Sequence, residues 1–308
     1  MTDADGTATG GGEGETVAWS VFLAEAEQRL SAVGIENASS EARWIVEEAS
    51  GNEGSEFVPG LAEPATVRGV AHFDRMVARR EKGEPLQYVL GRWAFRQLDL
   101  MVDARVLIPR PETETVAEAA LAELDRIVEH LGPARNTPIP VVDLGTGSGA
   151  LGLSLAVERT DTEVWATDAS ADAIAVARAN LVGIGWAARR VRLAQGSWFE
   201  PLPDELAGRV GVIVSNPPYV AASDPLPREV AEWEPAGALI PGPTGMEAIE
   251  TIVGGARPWL SGGGALVVEI ASHQADEVDG LARTHGFTNV EIRPDLAGRP
   301  RTLVARTR

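Results

Sequence analysis

The chain has 308 residues, 44% of them hydrophobic, which is enough for a sizeable buried core and exceeds one typical domain. Its 27 Lys and Arg against 45 Asp and Glu leave a formal charge of −18, a surface that repels bare phosphate backbone and argues against a duplex-binding protein. Cysteine is absent, which excludes disulfides, thiolate metal sites and cysteine nucleophiles, and the four histidines (His72, His130, His273 and His285) are too widely spaced for a ligand set, so no metal is expected.

Residues 1–15, MTDADGTATGGGEGE, hold too few apolar groups to offset the entropy of ordering and are expected to form a disordered tail. They carry no signal-peptide pattern, and no later apolar run is long enough to span a bilayer, so a soluble cytoplasmic protein is expected. From residue 17 to about 80 the pattern is helical. In WSVFLAEAEQRLSAVGI, Val21, Leu23, Leu30 and Val33 suit an amphipathic helix that stops at Gly34. SSEARWIVEEASG has a serine cap, Glu41 in its first turn and Gly51 at its end, and a third helix covers 64–81. These helices define a small N-terminal domain, residues 16–83, expected to recognise the substrate.

In PLQYVLGRWAFRQLDLMVD (85–103), two aromatic and β-branched runs flank Gly91-Arg92, which predicts a β-hairpin within a linker over 84–110. LIPRPETE (107–114) follows; its prolines exclude regular structure until Pro111-Glu112-Thr113-Glu114 opens a helix with acids in the first turn. Over 111–308, strand-like runs alternate with helix-like segments: IPVVDL (139–144), EVWATD (163–168), RVRLAQ (190–195), GVIVSN (211–216), GALVVEI (264–270), FTNVEIRP (287–294) and RTLVART (301–307). Such alternation predicts an α/β fold with a parallel sheet covered on both faces. The last two strands are joined too closely for a crossover helix and should pair antiparallel, the outline of a class I methyltransferase, Rossmann-like with a mostly parallel seven-stranded sheet.

VVDLGTGSGALGLSLA (141–156) runs from strand through a glycine turn into a helix whose N-terminus offers free N–H groups to an anion. Gly145-x-Gly147-x-x-Ala150 satisfies the dinucleotide fingerprint, so the turn alone does not separate a nicotinamide cofactor from S-adenosylmethionine. Asp143 favours the latter, because a carboxylate there suits an ammonium and gains nothing beside a pyrophosphate. Asp168 ends the second strand at the spacing of a ribose-binding acid, although as part of TDAS it also reads as a helix cap. No histidine or Tyr–Lys pair stands where a dehydrogenase would need a proton-transfer group.

The fourth strand ends in Asn216-Pro217-Pro218-Tyr219, a turn that no sheet ladder can continue. In a doubly wound sheet this turn falls beside the switch-point crevice. The prolines then fix Asn216 and the Pro217 carbonyl as two acceptors, matching the two N–H groups of one planar NH2. Such a nitrogen is a poor nucleophile until it pyramidalises, and neutral acceptors stabilise its developing positive charge. Tyr219 is placed to lie against the planar face. The plain alternative is a strand-ending turn with an incidental tyrosine.

EPLQYVLGRWAF (84–95), VLIPRPETE (106–114), DLGTGSG (143–149), NPPYV (216–220), EVAEWEPAGAL (229–239) and VVEIASHQ (267–274) occur in this order, and a chain so built resembles the release-factor glutamine methyltransferase family, PrmC or HemK. The resemblance spans roughly residues 17–308. It implies methylation of the side-chain amide nitrogen of the glutamine in the Gly-Gly-Gln motif of peptide chain release factors. S-adenosylmethionine would be the donor and S-adenosylhomocysteine the product. By resemblance, Gly145, Thr146, Gly147, Ser148, Gly149 and Asp168 hold the donor, with Asp143 and Asn216 beside it. Trp198 lies by the adenine, and Asn216, Pro217, Pro218 and Tyr219 clasp the glutamine. Trp198 reads equally well as a core aromatic, and Arg110, Glu112, Glu114 and Glu269 equally as pocket braces or as ordinary charged termini. Ser197 stands where the family commonly has an acid, and GPTGM (242–246) replaces a more usual Gly-Gly-x-x-Gly-Leu. The competing readings are a methyltransferase for a ribosomal-protein glutamine or for an exocyclic amino group of a nucleic-acid base; the charge of −18 opposes the second.

Overall fold

The computed structural model describes residues 16–131 and 137–308, so the expected disordered tail at 1–15 lies outside the described residues. The chain divides between Leu90 and Gly91 into two units. The first is helical: α1 (Trp19–Ala32), α2 (Ala38–Ser50), α3 (Phe57–Gly60), α4 (Val67–Glu81) and α5 (Leu86–Leu90). In α1, Trp19, Ala26 and Leu30 are buried and Leu23 packs against the same core, whereas Val21 and Val33 are exposed; the core-facing stripe keeps Leu23 and Leu30 of the expected face and adds Trp19 and Ala26. The expected serine cap of α2 is also absent, because the helix already starts at Ala38, with Asn37 at the cap position and both serines inside the first turn. Gly51 ends α2 in the left-handed conformation, as its position predicts. Thr66 caps α4 by accepting from the Gly69 N–H, and Phe73, Met76 and Val77 of that helix join Ile45 and Val46 in the core of this unit.

The expected hairpin over 85–103 is corrected. Its first half, LQYVL, is α5, and the hairpin is β1 (Arg92–Phe95) with β2 (Leu98–Met101), turning at Arg96-Gln97 rather than at Gly91-Arg92. Two local forces override the β-favouring residues. The Arg79 guanidinium donates to the Tyr88 and Val89 carbonyls, a cation closing the last turn of α5. Arg96 accepts a positive φ at the hairpin turn because it is tied down: its N–H donates to Glu114 and its guanidinium to Glu158.

The second unit continues with α6 (Thr113–Leu131), β3 (Ile139–Leu144), α7 (Ala150–Glu158), β4 (Thr162–Asp168), α8 (Ala171–Gly183), β5 (Val191–Gln195), β6 (Val210–Ser215), α9 (Arg228–Trp233), α10 (Glu247–Ala256), β7 (Leu260–Glu269), α11 (Ala275–Thr284), β8 (Asn289–Pro294) and β9 (Pro300–Arg306). Seven strands form one sheet in the order β5-β4-β3-β6-β7-β9-β8, parallel except where β9 pairs antiparallel with β7 and β8. The closing hairpin is therefore inserted, with β9 between β7 and β8. Val142, Leu144, Ile213, Leu266, Val268 and Leu303 face α10 and α11 on one side. The alternate residues Val141, Val212, Val214 and Val267 are equally buried, which is why these strands read as continuous apolar runs rather than alternating ones. β3 and β6 are neighbours, with Leu144 opposite Ser215, so the glycine turn after β3 and the Asn-Pro-Pro-Tyr turn after β6 leave the sheet side by side.

Candidate active site

A cavity of about 390 Å³ opens at the carboxyl ends of β3, β4 and β6, the place a doubly wound sheet reserves for ligands. Asp143, Gly145, Thr146, Gly147, Ser148, Asp168, Trp198, Asn216 and Pro218 line it; Gly149, Pro217 and Tyr219 do not. Ser197 contributes to the wall as well.

The glycine loop is held by β4. The N–H groups of Gly145 and Thr146 both donate to the Thr167 carbonyl at 2.9 Å. Trp198 sits at φ 47°, a strained value for a tryptophan, and Thr167 Oγ1 fixes it by donating to its carbonyl at 2.9 Å. A Cβ on Gly145 would stand 3.4 Å from the Trp198 ring, so the indole lies directly on the loop and the bare Cα makes that approach possible. Trp198 lines the cavity and also packs against the sheet core.

Asp168 is not the cap of α8; Ser170 is, accepting from the Ala173 N–H. The Asp168 carboxylate instead accepts from the Gly147 N–H and the Ser170 N–H, both at 2.9 Å, and ties the glycine loop to its own strand. Burial pushes its carboxyl above the ordinary value, against the pull of those two N–H groups.

Asp143 is 1% exposed. Its Oδ2 accepts from Thr146 Oγ1 at 2.6 Å and from the Gly152 N–H of α7 at 2.9 Å, so one oxygen braces the turn between strand and helix. Its Oδ1 is buried with no partner among the described residues. Burial pushes this carboxyl up to about 6, offset in part by Thr146 and Gly152 and reinforced by the charge of Asp168.

The residues beneath Asn216 were the least legible. Asn216 Nδ2 donates to Thr113 Oγ1 at 3.0 Å, and Thr113 Oγ1 donates to Glu269 Oε2 at 2.7 Å. The Tyr219 hydroxyl donates to Glu269 Oε1 at 3.1 Å, and burial pushes its phenol well above the usual range. Pro217 is buried, and its carbonyl accepts no hydrogen bond from the described residues. Thr113 also lines the cavity, together with Val106, Leu107 and Pro109 of the proline segment and Pro235, Gly237 and Ala238 beyond α9. Glu234 joins these two stretches, accepting from the Ile108 N–H at 3.1 Å and ion-pairing with Arg110. Of the charges left open by sequence, Glu112 pairs with Arg299, Glu114 holds the Arg96 N–H, and Glu269 is the buried hub of the hydroxyls. A charged residue ending an otherwise apolar VVE strand was the one available sign of Glu269. Nothing local marked Thr113.

Among the described residues, no helix is long and apolar enough to cross a membrane, and no group of three or more acidic or histidine side chains is gathered as a metal site would need.

The model of the PrmC N-terminal domain matches residues 22–91, and that of the methyltransferase small domain matches residues 125–231. A release factor glutamine methyltransferase of Cereibacter sphaeroides is 37% identical over 286 residues, 92% of this chain and 96% of its own length. One from Moorella thermoacetica is 38% identical over the same shares, and one from Agrobacterium fabrum is 33% identical over 97% of this chain and 99% of its own. Among solved structures, the hMettl16 catalytic domain in complex with MAT2A 3'UTR hairpin 1 aligns at a TM-score of 0.54 with 17% identity, over 75% of this chain and 80% of that one, which speaks to the fold.

Proposed function

The chain belongs to the release factor glutamine methyltransferase family, and from that premise we propose that it moves a methyl group from S-adenosylmethionine to the side-chain amide nitrogen of the Gly-Gly-Gln glutamine of a release factor. The observation that carries this reading is the Asn216 amide at the cavity wall, its nitrogen engaged by Thr113 and its oxygen left to accept. A release-factor substrate sets the reaction in the cytoplasm, where translation terminates.

The cavity residues fit the donor. The orphaned, buried Asp143 Oδ1 lacks a donor partner, which the methionine ammonium would provide directly or through water. The cavity of about 390 Å³ beside the glycine loop and Trp198 has room for a nucleoside, and Asp168 has lone pairs for a ribose diol beyond the two it spends on Gly147 and Ser170. S-adenosylmethionine supplies an electrophilic methyl. The chain's own part is to hold the amide for in-line attack: Asn216 Oδ1 at the cavity wall accepts one N–H while the nitrogen gains positive charge. The adjoining Pro217 carbonyl, which takes no hydrogen bond from the described residues although Pro217 itself does not line the cavity, is the acceptor we assign to the other. No base is required before transfer, because the proton becomes acidic only once the nitrogen carries the methyl. Incubating a purified release factor with the protein and S-adenosylmethionine, then mapping peptides by mass spectrometry, should find one methyl on the Gly-Gly-Gln glutamine. A methyl elsewhere, or none with donor binding intact, would move the substrate to another amino group.

Asp143 also gives the donor site a pH dependence. Its folded value, about 6, lies above the ordinary 3.8, so the ionised form is the disfavoured one in the unliganded fold. The unliganded protein therefore loses stability from this group as pH rises from about 3.8 through about 6. Binding of a cationic donor needs the ionised form and runs the other way. S-adenosylhomocysteine, which keeps the ammonium, should bind more weakly below about pH 6, by up to about tenfold per unit. Calorimetric titration between pH 5 and 8 would read this, and Asp143→Asn should flatten the profile; an equally steep fall in that variant would assign the titration to another group.

A further inference from the structure

We propose that Glu269 and Thr113 are positioning residues that decide which end of the Asn216 side-chain amide faces the cavity. The proposal rests on the reading of Asn216 as the acceptor for the substrate amide, and it concerns how this chain enforces that role. An asparagine amide has two ends of nearly equal shape, and only its hydrogen-bond partners distinguish them. Turned one way, Asn216 offers the cavity an oxygen, which takes up an NH2 group. Turned the other way, it offers an NH2, which takes up a carbonyl and repels the nitrogen to be methylated.

The chain of partners removes this freedom. Glu269 is 1% exposed at the end of β7, and each of its oxygens receives a hydroxyl, Thr113 Oγ1 at 2.7 Å and Tyr219 at 3.1 Å. Burial pushes its carboxyl above the ordinary value, opposed by the Thr113 hydroxyl, the Arg301 charge and the Tyr219 hydroxyl; as a carboxylate receiving a hydroxyl on each oxygen it can only accept. A hydroxyl has one proton, so Thr113, having given its proton to Glu269, can meet Asn216 only as an acceptor. The partner at 3.0 Å must then be the Asn216 nitrogen. A flipped amide would set two oxygens against each other with no proton between them, next to a buried charge. The direction is thus set at Glu269 and handed through one threonine to the cavity wall. Tyr219 takes the other carboxylate oxygen, which leaves Glu269 no oxygen without a donor.

Thr113→Val keeps the shape and removes the hydroxyl. It should leave S-adenosylhomocysteine binding unchanged and lower kcat by roughly tenfold to a hundredfold, the scale of a misaligned reactive group. Thr113→Ser, which keeps the hydroxyl, should restore most of the loss. Added to Asn216→Ala, Thr113→Val should cost nothing further, since it acts only through that amide. In isotope-labelled protein, the side-chain NH2 resonances of Asn216, assigned by their loss in Asn216→Ala, should move in Thr113→Val and stay in place in Thr113→Ser. Full turnover of Thr113→Val beside an inactive Asn216→Ala would overturn the proposal and leave the reading of Asn216 standing, and so would additive losses or a serine that fails to rescue. Full turnover of Asn216→Ala would instead overturn the reading beneath it. If valine prevents folding, as lost S-adenosylhomocysteine binding would reveal, Thr113→Ala takes its place in the same comparison.

Discussion

Asn216→Ala should cut kcat by roughly a thousandfold, the upper scale for one pre-organised group aimed at developing charge, while S-adenosylhomocysteine affinity stays within about an order of magnitude of wild type. The split follows from where the residue stands. Its backbone leaves β6 next to the glycine turn, so it borders the donor, but the donor's anchors are Asp143, the loop of 145–149 and Asp168. What alanine removes is an acceptor whose value grows as the substrate nitrogen turns positive, so the loss falls on the chemical step. Single-turnover methylation of a release factor, set beside calorimetric binding of S-adenosylhomocysteine, separates the two. Unchanged turnover would end the role assigned to Asn216; equal losses in binding and turnover would make it a donor ligand. Asn216→Asp should also be slow, because the threonine hydroxyl would face acceptors on both sides, Glu269 and the new carboxylate.

What the sequence reveals and what it hides divides along the range of the forces. The strands are legible because β3, β6 and the second half of β7 are buried on both faces and read as near-continuous apolar runs, while β4 shows a partly alternating pattern. The glycine turn and the Asn-Pro-Pro-Tyr turn are legible because each carries its conformational constraint in its own residues, and the adjacency of β3 and β6 then brings them together. The hairpin was misplaced because its position is decided by Arg79 on one side and by Glu114 and Glu158 on the other, contacts that local propensity does not contain. The same is true beneath the site. Thr113 and Glu269 are 156 positions apart and meet only because α6 and β7 pack together, so their hydrogen bond has no trace in either segment. Tyr219 is legible for its ring alone, and the pairing of its hydroxyl with Glu269 has no trace in the sequence.

Gly245→Ala should be among the most damaging substitutions outside the cavity lining, although it adds one methyl group. Gly245 is buried at φ 81°, and a Cβ there would stand 2.6 Å from the Tyr219 carbonyl oxygen and 3.0 Å from the Ala221 nitrogen, both backbone atoms that no side-chain rotation can relieve. Gln274 tightens the same junction, donating from one Nε2 to the Tyr219 carbonyl at 3.3 Å and to the Gly245 carbonyl at 3.2 Å. The segment that replaces the family's usual glycine pattern thus keeps a glycine where it backs the Asn-Pro-Pro-Tyr turn. The left-handed conformation alone costs alanine about 1–2 kcal/mol. Overpacking adds about 1–3 kcal/mol, and with about 2–4 °C lost per kcal/mol in a domain of this size the melting temperature should fall by roughly 5–15 °C. Gly298, at φ 80° in the exposed turn between β8 and β9, has nothing within 4 Å of its added Cβ, so Gly298→Ala should show only the conformational part. The difference between the two variants in a thermal melt measures the clash. Because the clash is with the backbone of the turn that carries Asn216, Gly245→Ala should also lose kcat, by roughly a hundredfold for a displacement of about 1 Å, whereas Gly298→Ala should not. Equal melting shifts in the two variants, with turnover intact in both, would mean that the turn yields freely and that its rigidity has no part in aiming Asn216.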